Sequence, residues 1–252
     1  MSRPGSRLAP AKIKDYLLTL NFRNKEKINF LEINTENLDT YLAHEKITET
    51  ILKNFKYNFY VFIGGDHSIT YATFKAIKHH FENILLINID KHFDIRDWSK
   101  DNISSGSSFS RLLDEGIIKA NELLEIGILE FFNSDYLFEK LKRYGFEYIK
   151  MFEIKENIDG VLNRIEKKLE AFKNIYLSID IDVIDASICP GSSASSHFGL
   201  YQEELLKILN TIINSRKLIA LDVVEVNPLV DFNDMSSRFS SLLLSYLINQ
   251  II

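Results

Sequence analysis

A three-layer α/β/α fold built on a mostly parallel sheet is the architecture predicted by this 252-residue sequence. Two observations predict it. Six short runs rich in branched and aromatic residues recur along the chain, and between them lie longer stretches whose apolar residues return at helical spacing. Such alternation marks a parallel sheet covered by helices on both faces, with ligand sites beyond the carboxyl ends of the strands.

Taken in order, the first 56 residues read as helices over 11–20 and 37–55 around a short strand near 29–33. Strands follow at 57–63, 84–89, 123–128, 146–151, 175–181 and 218–224, each a buried apolar run. Amphipathic helices fall at 69–81, 134–144, 158–172, 202–215 and 236–251. No repeat, low-complexity tract or linker interrupts them, so residues 1–252 read as one domain.

A hydrophobic share of 46% suffices for one sizeable core. Thirty basic against 35 acidic side chains leave a net charge of −5, which excludes the basic surface that nucleic-acid binding needs. The polar start through Lys12, with Pro4 and Pro10, holds neither a signal peptide nor a membrane span. Cys189 is the one cysteine, so no internal disulfide forms, and a cytoplasmic location is the expectation.

Chemistry gathers at the ends of four strands. The first runs into Gly64-Gly65-Asp66-His67-Ser68, where the paired glycines permit a tight turn that presents His67. The second delivers Asp90, His92 and Asp94 at alternate positions, which share one side if the backbone stays extended. The strand at 175–181 ends in Asp180 and Asp182, again one apart, with Asp185 in the turn, and the last leads to Glu225, Asn227 and Pro228. Singly, each has a bland reading: His67 as a hydrogen-bonded turn residue, the carboxylates as helix caps. Together they crowd negative charge at one sheet edge, where like charges about 4 Å apart repel by roughly 4 kcal/mol at intermediate dielectric. Divalent cations resolve that repulsion. An oxygen-rich donor set of His67, Asp90, His92, Asp94, Asp180 and Asp182 suits Mn²⁺ and argues against a cysteine-rich structural zinc site. Bridging carboxylates imply two ions, which activate a shared water near neutral pH and remove the need for a serine or cysteine nucleophile.

GGDHS at Gly64 to Ser68, DxHxD at Asp90 to Asp94, SxDxDxxD at Ser178 to Asp185 and DVVEVNP at Asp222 to Pro228 stand in one order along the chain. In that order they resemble the arginase and agmatinase family of ureohydrolases, from Arg3-Pro4-Gly5 to the last helix. The resemblance implies an arginase-like fold and a binuclear Mn²⁺ site. One ion would take His67, Asp90, Asp94 and Asp180, the other His92, Asp90, Asp180 and Asp182, with Asp90 and Asp180 as bridges. Asp94 would then carry the proton to the leaving nitrogen, and Glu225 would pair with the cationic amidinium. Asp66, Asp185 and Asp222 are expected only to support the site. A homo-oligomer, trimer or hexamer, is familiar among relatives.

Substrate choice is read from the segment after DxHxD. Arginine-cleaving relatives carry a histidine just before a glycine there, whereas this chain has Ser104-Ser105-Gly106-Ser107-Ser108-Phe109 and resembles the formimidoylglutamase branch. Asp94-Ile95-Arg96, the run Arg111 to Glu115, and the tail with Asp231, Asp234 and Ser236-Ser237-Arg238 agree. Arg96 and Ser105 are therefore assigned to the substrate side, Arg96 to a substrate carboxylate; its bland alternative is a salt bridge with Asp97 or Asp101. The expected reaction converts N-formimidoyl-L-glutamate and water to L-glutamate and formamide, in histidine breakdown. A urea-releasing hydrolase of agmatine or another guanidino compound is the alternative, and a silent binding or assembly homologue a third reading. Two departures from the family stand out: Lys91 replaces the usual alanine of DAHxD, and Ala186 a usual proline. Lys91 alternates away from the ligand face and is expected to tolerate change without loss of metal.

Overall fold

A computed structural model describes residues 5–251. Arg3 and Pro4, where the family resemblance begins, lie outside them, as do the other termini of the expected domain. Six parallel strands form one sheet: β1 (Tyr60–Ile63), β2 (Ile84–Ile89), β3 (Leu123–Ile128), β4 (Glu147–Lys150), β5 (Asn174–Asp180) and β6 (Leu218–Val224). Their order across the sheet is β1-β6-β5-β2-β3-β4. The inner strands β2 and β3 are buried along their whole length, which is why they read as continuous apolar runs. The edge strands β1 and β4 are only partly covered.

Helices cover both faces. Those described are α1 (Ala9–Thr19), α2 (Thr40–Lys53), α3 (Ile69–Lys78), α4 (Ser108–Asp114), α5 (Asp135–Tyr144), α6 (Met151–Glu156), α7 (Ile158–Glu170), α8 (Gln202–Asn214) and α9 (Met235–Ile251). One apolar layer joins Leu85, Ile87, Leu177 and Val223 of the sheet to α1 and α6 through α9. On the opposite face, Ile84, Leu86, Tyr176 and Ala220 pack against α3, α4 and α5, with Ile47 of α2 alongside. Local signals set the helix ends. Asp39 caps α2 by accepting the Leu42 N–H at 2.8 Å, Asn157 caps α7 through Gly160, and Gly145 stops α5 at φ 78°. No helix of the described residues is long and apolar enough to cross a membrane.

The strand expected near 29–33 is absent among the described residues. That stretch leaves Phe30 and Leu31 exposed and has no neighbouring strand to satisfy its backbone. The short helices α4 and α6 were not expected. α4 carries serines at 108 and 110 and a buried Arg111, which break the apolar period. α6 begins at Met151, directly where β4 ends, inside a run that reads as strand.

At one level of the sheet, register aligns Asp222 of β6, Ser178 of β5, Asn88 of β2 and Glu125 of β3. All four are fully buried. They form a polar row one step below the carboxyl edge, where the functional side chains converge.

Candidate metal centre

The convergence has a different backbone origin from the one expected. Beyond β2 the chain does not stay extended: Asp90 Oδ1 accepts the N–H of His92 at 2.8 Å, and Asp94 sits in the left-handed region at φ 47°. Beyond β5, Asp180 Oδ1 accepts the Asp182 N–H at 2.8 Å, and 181–183 close a 3-10 turn. Both ligand runs are thus folded by an aspartate bonding two residues ahead. The paired glycines also act otherwise than expected. Gly64 is not at positive φ, but any Cβ there would run into the side chains of Ile69 and Val224.

The ligand-type side chains fall into two groups that share Asp90. In the first, His67 Nδ1 stands 3.0 Å from Asp94 Oδ2 and 3.2 Å from both Asp90 Oδ2 and Asp180 Oδ2. In the second, His92 Nδ1 lies 3.4 Å from Asp90 Oδ1 and from Asp182 Oδ2. Asp90 thereby turns one oxygen to each group. Asp180 Oδ2 stands in the first group, and its Oδ1 accepts the Asp182 N–H just as Asp90 Oδ1 accepts that of His92, so these contacts do not set Asp180 apart from Asp90 as a bridge.

The close packing of imidazoles and carboxylates shifts the titration of each group. Burial alone would lower His67, but Asp180, Asp90 and Asp94 raise it well above the usual histidine range. His92 is raised likewise, against burial, by Asp182 and Asp90. Burial and the neighbouring charges of Asp182 and Asp90 push Asp180 well up, and burial with Asp90 raises Asp94. Asp90 goes the other way: burial opposes it, but the two imidazoles hold it far below the carboxylate range. His67 Nδ1 is also a buried nitrogen with no hydrogen-bond partner, ringed by three carboxylate oxygens. The donor set and that orphaned atom fit a divalent ion.

Support comes from the polar row. His67 Nε2 lies 2.9 Å from Ser178 Oγ, whose hydroxyl donates to Asp222 Oδ1 at 2.6 Å. Asp222 also accepts from Tyr176 and Thr70, at 2.6 and 2.9 Å. This chain fixes Nε2 as the protonated nitrogen and leaves Nδ1 for a ligand. Asp222 is thus a support residue, as expected. Ser178 lies inside the SxDxDxxD motif, but nothing in its spacing reveals the hydroxyl's role. Farther along the row, burial pushes Glu125 well above the carboxylate range, and Asn88 donates to its Oε2 at 2.7 Å.

Above the cluster opens a cleft of about 90 Å³ lined by His92, Asp94, Arg96, Ser105, Gly106, Asp180, Asp182, Ser193, Ala194 and Glu225. Glu225, at φ 65°, accepts the His67 N–H through Oε1 at 2.8 Å; burial first, then Asp66, pushes its carboxyl up to about 8. Asp94 and Glu225 are thus both held in a conformation that non-glycine residues disfavour, a strain found typically where side chains must be aimed. Arg96 is exposed and packs flat on Gly106, where a Cβ would come within 2.9 Å of its Cδ and Nε. No ion pair joins Arg96 to Asp97 or Asp101 among the described residues, Asp97 being paired with Lys140 at 2.7 Å. Ser193 and Ala194 complete the far wall and were not expected from the sequence.

The sequence profile described as Arginase family matches residues 1–249. The chain belongs to the arginase family. This arginase-family protein is 36% identical over 180 residues to the formimidoylglutamase of Bacillus subtilis (strain 168); the match takes in 70% of this chain and 56% of that protein, less than two thirds of its length. The crystal structure of formimidoylglutamase from Bacillus subtilis superposes with a TM-score of 0.88 at 29% identity, covering 97% of this chain and 80% of that one. The Trypanosoma cruzi formiminoglutamase solved with Mn²⁺ shares the fold, with a TM-score of 0.84 at 22% identity over 99% of this chain and 87% of its own.

Proposed function

We propose that this chain, read as one arginase-like domain, is a binuclear manganese hydrolase that converts N-formimidoyl-L-glutamate and water to L-glutamate and formamide. The observation that carries the reading is the pair of ligand groups sharing Asp90 beneath a cleft that also presents Glu225 and an unpaired Arg96. His67, Asp90, Asp94 and Asp180 would hold one ion, and His92, Asp90, Asp180 and Asp182 the other, with Asp90 and Asp180 shared. Such a pair supplies Lewis acidity and water activated near neutral pH.

The protein's own groups do the rest. Glu225 keeps Oε2 for the amidinium while His67 N–H holds Oε1, which orients the planar carbon above the ligand cluster. Asp94, which lines the cleft beside His67, takes the proton from the attacking water and returns it to the leaving nitrogen, so that glutamate departs as an amine. Arg96 meets a substrate carboxylate, with Ser105 on the same wall. The similarity to formimidoylglutamases supports this substrate over a guanidino compound. A cytoplasmic setting agrees with the single buried thiol, Cys189, and a homo-oligomer with the habit of the family.

The test is product analysis. Protein loaded with Mn²⁺ is offered N-formimidoyl-L-glutamate, agmatine, arginine and guanidinobutyrate in parallel. Formamide and glutamate are expected; urea from a guanidino substrate would retain the metal chemistry and overturn the role of Arg96.

A further inference from the structure

Lys91 stands between the ligands Asp90 and His92, and its surroundings are unusual for a lysine. Its side chain is fully buried. The ammonium donates to the carbonyl of Ala194 and, at 3.0 Å, to Ser196 Oγ, and it sits 4.7 Å from the centre of the Phe132 ring. It also stands 3.9 Å from Asp182 Oδ1. That oxygen is buried and has no hydrogen-bond partner, whereas Oδ2 of the same carboxylate faces His92 Nδ1 at 3.4 Å. Lys91 was expected to alternate away from the ligand face, but its ammonium comes within 3.9 Å of Asp182.

The two ligand groups become unequal as a result. The first sets three carboxylates around one imidazole, and no lysine or arginine pairs with any of them among the described residues. In the second, Asp182 beside His92 has an ammonium 3.9 Å from its other oxygen. Positive charge so close in a dry interior opposes a second positive charge. We propose that Lys91 is a positioning residue that acts as a resident counter-charge at the second metal position. It sets a positive charge beside Asp182, makes that position the weaker of the two, and through its bond to the Ala194 carbonyl holds that wall of the cleft. Activity then follows filling of the second position, so the protein responds to the free metal concentration. This inference rests on the metal-hydrolase reading above.

Calorimetric titration of the metal-free full chain with Mn²⁺, with electron paramagnetic resonance to detect the coupled ion pair, tests it. The wild type should bind two ions with clearly separated constants. Lys91→Gln, which keeps a hydrogen-bond donor and removes the charge, should tighten the second ion by about tenfold or more and leave the first within about twofold. Lys91→Arg, which keeps the charge, should behave as wild type, and Lys91→Met replaces the glutamine variant if circular dichroism shows that variant unfolded. Equal constants in the wild type, an unchanged second constant in the neutral variant, or equal tightening by Lys91→Arg would each overturn the proposal. Failure of the wild type to bind any Mn²⁺ would overturn the metal reading itself, whereas two ions bound with no effect of Lys91→Gln would remove only the inference about Lys91.

Discussion

Ser178→Ala removes one hydroxyl and tests whether the polar row orients His67. Its Oγ links His67 Nε2 at 2.9 Å to Asp222 Oδ1 at 2.6 Å. Removing it leaves a buried ring N–H without its acceptor, a cost of about 1–3 kcal/mol. Asp222 loses one of three hydroxyl donors but keeps Tyr176 and Thr70. Part of the cost falls equally on the metal-free and metal-bound protein, because Nε2 carries a proton in both, and appears as lost stability. In a chain of this size, each kcal/mol lowers the melting temperature by roughly 2–4 °C. The remainder is lost ring orientation, and removing such support from a metal-bound histidine weakens affinity by about 10–100-fold. We expect Mn²⁺ at the His67 position to bind about tenfold more weakly, with the His92 position little changed. Calorimetry and metal content after dialysis read the first, differential scanning calorimetry the second. A variant that melts lower yet binds both ions as the wild type does would show that the row serves packing alone.

Asp180→Ala should abolish turnover and lower the metal content, since it removes an oxygen beside His67 and the acceptor that folds the Asp182 turn; retained activity would sink the binuclear reading. Gly106→Ala should displace Arg96 from the cleft and, like Arg96→Ala, raise KM for a dicarboxylate amidine with metal content intact, which steady-state kinetics and elemental analysis check together. Metal uptake should release protons. His67, His92, Asp94 and Asp180 are raised, so each holds its proton to higher pH than usual in the metal-free protein, and affinity should climb as pH rises and those protons leave. Titrations in buffers of different ionisation enthalpy count the protons; a heat independent of the buffer would contradict the assignment.

All six strands were legible in the sequence as apolar runs, and so was the convergence of His67, Asp90, His92, Asp94, Asp180 and Asp182, because carboxylates and imidazoles at strand ends stand out against such runs. How the ligands converge was not legible. Strict alternation suggests an extended chain, whereas local bonds from Asp90 and Asp180 to the backbone two residues ahead fold both runs. Lys91 shows the same limit: its position in the period says which way Cβ leaves the chain, not where three further carbons carry the charge. The hydroxyl of Ser178 and the wall at Ser193 and Ala194 depend on cross-strand register and on a loop, and neither leaves a periodic trace. The absent strand near 29–33 had the right residue types and no partner, a matter that local composition does not decide.

The strand order carries a consequence for how the protein is made. β1 pairs only with β6, and about 150 residues separate them along the chain. At ordinary rates of synthesis, β1 waits roughly 10–30 s on the ribosome before its partner exists. Throughout that interval the turn bearing His67 has no strand beside it and no Glu225 to hold its backbone. The nascent chain can already bring Asp90 and Asp180 together through the pairing of β2 with β5, yet the His67 backbone N–H gains its Glu225 partner only when the last strand docks. The cluster is thus completed late, and a chain halted before β6 would carry all six candidate ligands without the strand that holds the His67 turn.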